Sequence, residues 1–130
     1  MANLVTVEAN AILNASSGQA TYTNPTTPIK VALVTATGTA TTAGTEVTNA
    51  GGSTYARVSI TFAAASGGSI SSNIQLNFTN MPSCTVTGVD EYDSAGTPVR
   101  RWFGNLSASK TVNLGDTFSI NSGSYTKTLS

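Results

Sequence analysis

Charged residues are scarce in this chain: they make up 9% of its 130 residues, and six basic residues balance six acidic ones. An average soluble domain carries roughly 25% charged residues. Nucleic-acid binding needs clustered lysine and arginine, and the one basic pair, Arg100 and Arg101, lies in a predicted strand that turns its members to opposite faces. The composition therefore argues against nucleic-acid binding and against electrostatic steering of an acidic partner.

Histidine is absent, and cysteine occurs once, as Cys84. Without histidine the chain cannot form a Ser-His-Asp triad, a Cys-His pair or an imidazole metal site. A single cysteine forms neither an intrachain disulfide nor a structural zinc site. The phosphate-binding glycine motifs that open a helix are missing as well. We therefore predict a protein that is not an enzyme and uses no cofactor, with Cys84 as a small buried apolar residue.

Long hydrophobic runs are also missing, since no segment approaches the roughly 20 apolar residues of a membrane helix. The N-terminal sequence Met-Ala-Asn-Leu-Val-Thr-Val-Glu lacks the basic and apolar regions of a signal peptide. We expect synthesis in the cytoplasm, no encoded export signal and no membrane partner.

Two clusters leave alternatives open. Asp90, Glu91 and Asp93 could bind calcium or hydrolyse a glycosidic bond, but neighbouring residues of a strand face opposite ways and aspartate is favoured at turns. We therefore interpret this cluster as a strand followed by a turn. Trp102 and Phe103 are interpreted as core packing, and a sugar-binding aromatic platform is the alternative.

Threonine, serine, asparagine and glycine replace lysine and glutamate, while 39% of the chain is hydrophobic. Val58, Ile60 and Phe62 alternate with polar residues at the period of a half-buried antiparallel strand. The pattern predicts an all-β fold, an antiparallel β-sandwich or barrel of about eight short strands with a short N-terminal helix. The predicted strands are residues 29–35, 57–62, 74–79, 84–92, 99–103, 110–114, 117–120 and 125–129.

The length favours one domain over residues 1–130, with a helical arm at residues 1–20 and the sandwich at 29–130. Helical spacing predicts a helix over residues 5–15. This helix either lies across one end of the sandwich or docks on a partner subunit through Ile12 and Leu13.

The segment 45–62 contains the main candidate for partner contact. Its glycine pair, Gly51 and Gly52, predicts a turn that brings Glu46 back beside Arg57, with Tyr55 between them. Glu46 and Arg57 form either a surface ion pair, worth roughly 0–1 kcal/mol, or a partly buried pair that fixes a loop for contact with another subunit. Residues 37–44 are predicted to form a mobile loop.

The order Thr45-Glu46-Val47, Gly51-Gly52, Tyr55-Ala56-Arg57 and Thr61-Phe62 resembles a signature of small virion proteins of tailed phages, which are labelled tail-fibre-like or minor tail proteins. The Asn49-Ala50 insertion departs from that signature. Further matching segments run in order from Tyr22 to Leu129: residues 22–25, 31–33, 77–79, 89–93, 103–113 and 115–117.

The resemblance implies a non-enzymatic structural protein on the outer surface of the virion. Our leading hypothesis is a capsid decoration protein that binds the major capsid protein as a homotrimer. The alternative is a minor tail or tail-fibre-associated protein that contacts tail proteins, and a carbohydrate-binding module is a more distant one.

Overall fold

A computed structural model describes residues 2–129 and shows a mostly β fold with a short N-terminal helix. Within that range the elements are β1 (Ala2–Leu4), α1 (Thr6–Ser16), β2 (Ile29–Ala36), β3 (Thr45–Glu46), β4 (Val58–Ile60), β5 (Ser69–Ser71), β6 (Leu76–Phe78), β7 (Cys84–Tyr92), β8 (Arg100–Val112), β9 (Phe118–Ile120) and β10 (Thr126–Thr128). The predicted fold class is therefore confirmed.

Two sheets of unequal size form the fold. The large sheet has the spatial order β3, β2, β7, β8, β1, β10, β5, and β4 also pairs with β2. The small sheet consists of β6 and β9. The order of the large sheet begins at β3 and ends at β5, so these strands do not close into a barrel within residues 2–129.

The core contains the apolar side chains that alternation places on one face of each strand. Val31 and Leu33 of β2 are fully buried, as are Leu76 of β6 and Val89 of β7. Phe78 packs edge-on against Phe118 with ring centroids 6.2 Å apart, which joins the two strands of the small sheet. This cluster fixes the positions of the strands at the edge of the large sheet.

The N-terminal region contributes a strand as well as a helix. Strand β1 lies inside the large sheet, antiparallel to β8 at Leu4↔Trp102 and parallel to β10 at Ala2↔Lys127. Helix α1 begins and ends within one residue of the predicted range 5–15. Residues 1–20 were predicted from the sequence to form a helical arm, so β1 corrects the first part of that assignment.

Strand β8 is longer than predicted, because residues 99–103 and 110–114 belong largely to one strand. Its pairing with β7 jumps from Gly88↔Asn105 to Val86↔Lys110, so residues 106–109 bulge out of register. This register shift ends at Gly88, whose backbone lies close to β8. A Cβ atom there would lie 2.4 Å from the Gly104 carbonyl oxygen, so the close approach of the strands requires glycine.

Candidate functional site

One edge of the large sheet is formed by two short strands, β3 and β4, with an interruption between them. β3 and β4 both run antiparallel to β2 along the same edge, at Val34↔Glu46 and Val31↔Val58. Residues 48–57, here called the edge loop, leave the sheet between them. β3 and β4 flank the predicted glycine turn but do not pair with each other. Each finds its partner in β2, because β2 offers an edge long enough for both.

The edge loop is held by its own hydrogen bonds. The Asn49 side-chain oxygen accepts from the Tyr55 N–H at 2.7 Å and from the Ser53 hydroxyl at 2.9 Å. Gly51 and Gly52 form the tip with positive φ angles of 64° and 86°, which glycine adopts without strain. The loop therefore presents an exposed tip on a fixed base.

Tyr55 fills the gap that the edge loop leaves in the sheet edge. Its ring is buried and stacks on Phe78, with centroids 6.1 Å apart. Its hydroxyl accepts a hydrogen bond from the Leu33 N–H at 2.9 Å and donates to Glu46 Oε1 at 3.0 Å. Burial raises the pKa of Tyr55 above its ordinary value, and the Leu33 N–H offsets part of that rise. A side-chain hydroxyl thus replaces the missing backbone partner of Leu33.

Glu46 and Arg57 form a two-pronged ion pair. Arg57 donates from Nε to Glu46 Oε1 at 3.0 Å and from Nη2 to Oε2 at 2.9 Å. The guanidinium carbon lies 3.9 Å from the centre of the Tyr92 ring. The two side chains are 33% and 30% exposed, and the hydrogen bonds to Glu46 raise the pKa of Arg57. The pair is therefore partly buried, as one of our two hypotheses stated.

The seven predicted contact residues fall in two places. Glu46, Tyr55 and Arg57 meet at the base of the edge loop, while Gly51 and Gly52 are exposed at its tip. The other two, Ile12 and Leu13, lie on α1, where Ile12 is half-buried and Leu13 is 61% exposed.

Leu114 was not singled out from the sequence, although it is exposed beside the tip of the edge loop. A Cβ atom on Gly51 would lie 3.3 Å from Leu114 Cδ2. That neighbour could not be found from the sequence, because the two residues are remote along the chain. Contact of these residues with a partner stays a prediction.

The acidic cluster proves to consist of buried carboxylates, each with a cation of its own. Asp90, Glu91 and Asp93 are nearly inaccessible. Their partners are Arg100 at 2.8 Å, Lys127 at 2.9 Å and Arg101 at 2.9 Å, respectively. Within residues 2–129 no three acidic, histidine or cysteine side chains converge as metal ligands would.

Asp93 is held as the turn interpretation predicts. Its Oδ1 accepts hydrogen bonds from the N–H groups of Val99 at 2.8 Å and Ala95 at 3.3 Å. Burial acts to raise the pKa of Asp93, but the Val99 N–H and the Arg101 guanidinium outweigh it and hold that pKa below its ordinary value. The carboxylate therefore stays ionised and closes the turn between β7 and β8.

Arg101 also reaches the N-terminal helix. Its Nη1 donates to Glu8 Oε2 at 2.7 Å, so one guanidinium bridges Glu8 and Asp93. Tyr22 donates its hydroxyl to the other oxygen of Glu8. Burial and this hydrogen bond raise the pKa of Tyr22 to about 12. Glu8 was not predicted from the sequence, because it is a lone acidic residue on a short helix.

The loop at residues 37–44 has more attachments than we predicted for a mobile segment. Arg100 Nη1 donates to the Thr39 carbonyl oxygen at 2.7 Å, and the Gly44 N–H donates to Asp90 Oδ2 at 2.9 Å. Arg100 Nε lies 2.8 Å from Asp90 Oδ1 at an angle that forms no hydrogen bond. The Asp90–Arg100 pair acts mainly through charge, while Arg100 Nη1 and Asp90 Oδ2 bind the loop.

Trp102 is buried, and its aromatic neighbours Tyr92 and Phe103 are half-buried beneath basic side chains. The Trp102 side chain is 8% exposed, and Lys127 Nζ lies 5.0 Å from its ring centre. The rings of Tyr92 and Phe103 carry the guanidinium groups of Arg57 and Arg100 at 3.9 Å and 4.9 Å. A sugar platform needs an open ring face, so core packing is the interpretation that the structure supports.

Comparison with known families identifies the chain. The family model of the podophage GP4 fiber I protein gp80 matches residues 3–128. The chain belongs to the Gp80 family. A search of curated proteins gave no match.

Membership of the Gp80 family makes the chain a structural protein of the phage virion. The general resemblance that we drew from the sequence is confirmed at this level, while the signature itself and the decoration role are not. The fibre description of the family supports our tail and fibre alternative over capsid decoration. Within residues 2–129 no helix has the length and apolar character needed to cross a membrane.

Proposed function

We propose that this chain is a fibre-associated component of a podophage tail that acts by binding other virion proteins and carries out no chemistry. The observation that carries the proposal is the family match over residues 3–128, which spans both sheets and the helix. The match covers the whole fold rather than one short motif, so the entire domain is the unit that the family shares.

The distribution of charge supports a binding role. Asp90, Glu91 and Asp93 are buried against basic side chains and are not open to a substrate. The exposed side chains are largely hydroxyl-bearing or apolar. The exposed surface includes the edge-loop tip with its neighbour Leu114 and, separately, Leu13 on α1. Such surfaces bind by shape and apolar burial, and repeated contacts in a particle multiply weak single ones.

The number of copies per particle tests the location. Quantitative mass spectrometry of purified virions, calibrated on the major capsid protein and the portal protein, should give a copy number near that of the portal. Hundreds of copies per particle would instead establish capsid decoration, our original hypothesis.

The contact surface can be tested by incorporation into virions. Leu13→Asp places a charge on an exposed apolar position, so we expect the chain to fold normally and to be depleted from particles. Leu129→Asp is the matched control, because Leu129 is also exposed and was not predicted to contact a partner. Equal incorporation of both variants would remove α1 from the contact surface, whether the partner is a tail protein or a second copy in a homotrimer.

A further inference from the structure

The N-terminal strand and helix form a unit that attaches to β8, to β10 and, through the Thr6 N–H, to the loop at residues 37–44. We call residues 2–16 the arm, and the gap between β8 and β10 that β1 fills the slot. β1 pairs with β8 on one side and with β10 on the other. Without β1, the β5–β10 pair would have no hydrogen-bonded strand joining it to the rest of the large sheet. The slot is therefore a strand-acceptor site with two unpaired edges.

We propose that, in the assembled particle, the slot of one copy of this chain accepts the arm of a second copy. Exchange of an identical element between copies is a low-cost route to association, because every contact of the closed chain is made again between chains. The inference concerns the contact between copies and does not depend on whether the particle site is tail or head.

The slot recognises this arm through charge as well as through strand pairing. Glu8 is the only charged residue of the arm, and it is 3% exposed. Its cation is Arg101 of β8, which also holds Asp93. A different arm without an acidic residue at the position of Glu8 would leave the Arg101 guanidinium with Asp93 as its one carboxylate partner. This pairing makes a second copy of the chain the best-matched occupant.

The connection between the arm and the sandwich is long enough to reach a neighbour. Residues 17–28 contain no helix or strand and are mostly exposed. Fully extended, a segment of this length spans about 40 Å, and a domain of this size is roughly 35 Å across. Its backbone hydrogen bonds to the sandwich begin only near its end, where the Ser94 N–H donates to the Thr26 carbonyl oxygen at 2.8 Å.

Effective concentration decides between the two arrangements. The connection of residues 17–28 holds the arm near its own slot at an effective concentration of about millimolar, so the dilute chain closes on itself. Copies that sit side by side on a virion raise the concentration of foreign slots to a similar level. Exchange is therefore expected on assembly and not in dilute solution.

Disulfide trapping tests the proposal in the particle. Asn3 and Phe103 are direct partners across β1 and β8, so cysteines at both positions meet the distance requirement for a disulfide. The test chain carries Asn3→Cys and Phe103→Cys together with Cys84→Ser, which removes the native thiol. The purified dilute chain should run as an oxidised monomer on a non-reducing gel. This control establishes that the chain folds and that the pair closes.

Virions that carry the same chain give the decisive result. Exchanged arms produce disulfide-linked multimers that disappear on reduction, and we expect these to be the main species. Oxidised monomers alone in the virion would overturn the proposal.

A second variant tests exchange outside the particle. Removing residues 19–24 shortens the connection, and short hinge segments favour exchange. Light scattering should then show dimers or larger closed species, linked by the same cysteine pair. A shortened chain that remains monomeric with an internal disulfide would contradict the proposal.

Discussion

At the scale of single residues, the position of Tyr55 explains how the sheet edge tolerates an interruption. Its hydroxyl connects the Leu33 N–H to Glu46, and Glu46 in turn binds Arg57. The approach of Glu46 to Arg57 was predictable, because both residues flank a glycine turn. The role of Tyr55 was not, because it depends on a gap in the pairing of β2 that no local pattern reveals.

Tyr55→Phe tests this connection. The change keeps the ring on Phe78 and leaves the buried Leu33 N–H without an acceptor, so we expect the free energy of unfolding to fall by about 1–3 kcal/mol. Urea denaturation monitored by circular dichroism measures it. Tyr92→Phe is the matched control. Tyr92 contacts Arg57 through its ring, which the change keeps, so we expect the free energy of unfolding to change by less than about 0.5 kcal/mol. Equal losses in both variants would show that the Tyr55 hydroxyl has no special role.

Arg57→Ala tests the ion pair. It removes two charge-assisted hydrogen bonds and the contact with Tyr92, and because the pair is about a third exposed we expect a loss of roughly 1–2 kcal/mol. A double-mutant cycle with Glu46→Gln separates the pair from the rest of the side chain. Arg57→Lys, which keeps the charge without the planar fork, should recover only part of the loss. A coupling energy near zero would reduce the pair to a surface contact.

At the scale of elements, the sequence-based prediction succeeded where a strand lies within a longer run of apolar residues bounded by turns. β7 was predicted with its observed ends, Cys84 and Tyr92, because a long alternating run ends at a turn. β1 and β5 have three residues each and were missed, since their pairing is decided by neighbours far along the chain. The partners of the acidic residues on β7 were missed for the same reason, because Lys127 belongs to β10 and Arg100 to β8.

Arg101→Met tests the attachment of α1 to the hairpin between β7 and β8. It leaves Glu8 and Asp93 buried without their cation, and removal of one partner from a buried pair costs about 3–5 kcal/mol. Chemical denaturation should show that loss, together with faster amide exchange in residues 2–16. Lys110→Met, at an exposed position, controls for the loss of a positive charge. A stability close to that of the unsubstituted chain would mean that strand pairing alone holds the arm.

At the scale of the whole molecule, most of the acidic charge is internal. Of the six acidic residues, Glu8, Asp90, Glu91 and Asp93 are buried beside basic side chains. Composition predicted a neutral, hydroxyl-rich exterior, and the structure adds that the few charges are used to fix the fold. The sequence shows how many charged residues there are but not where they lie, because burial of a charge depends on partners from distant strands.

The tyrosines predict how the whole molecule responds to alkali. Burial raises the pKa of all four, Tyr22 to about 12 and Tyr55, Tyr92 and Tyr125 in the same direction. A raised native pKa contributes stability that is complete below the unfolded value near 10 and is lost as pH rises towards the native value. We expect the free energy of unfolding to decline above about pH 10.

Absorbance at 295 nm follows the same groups directly. The native chain should show little tyrosinate at pH 10 and a steep rise well above it, while the chain in denaturant should titrate near the ordinary value of about 10. Coincident curves for the two states would contradict the burial of these hydroxyls.

The interrupted edge strand has a consequence for solubility. A long, flat, uncovered strand invites sheets of different molecules to join edge to edge, and a protein with no net charge has little repulsion to prevent it. The edge beside β2 offers only two residues in β3 and three in β4. The loop between them breaks the row of free backbone groups before an incoming strand could extend along it. We therefore expect the break to reduce edge-to-edge aggregation of this neutral chain before it is incorporated into a particle.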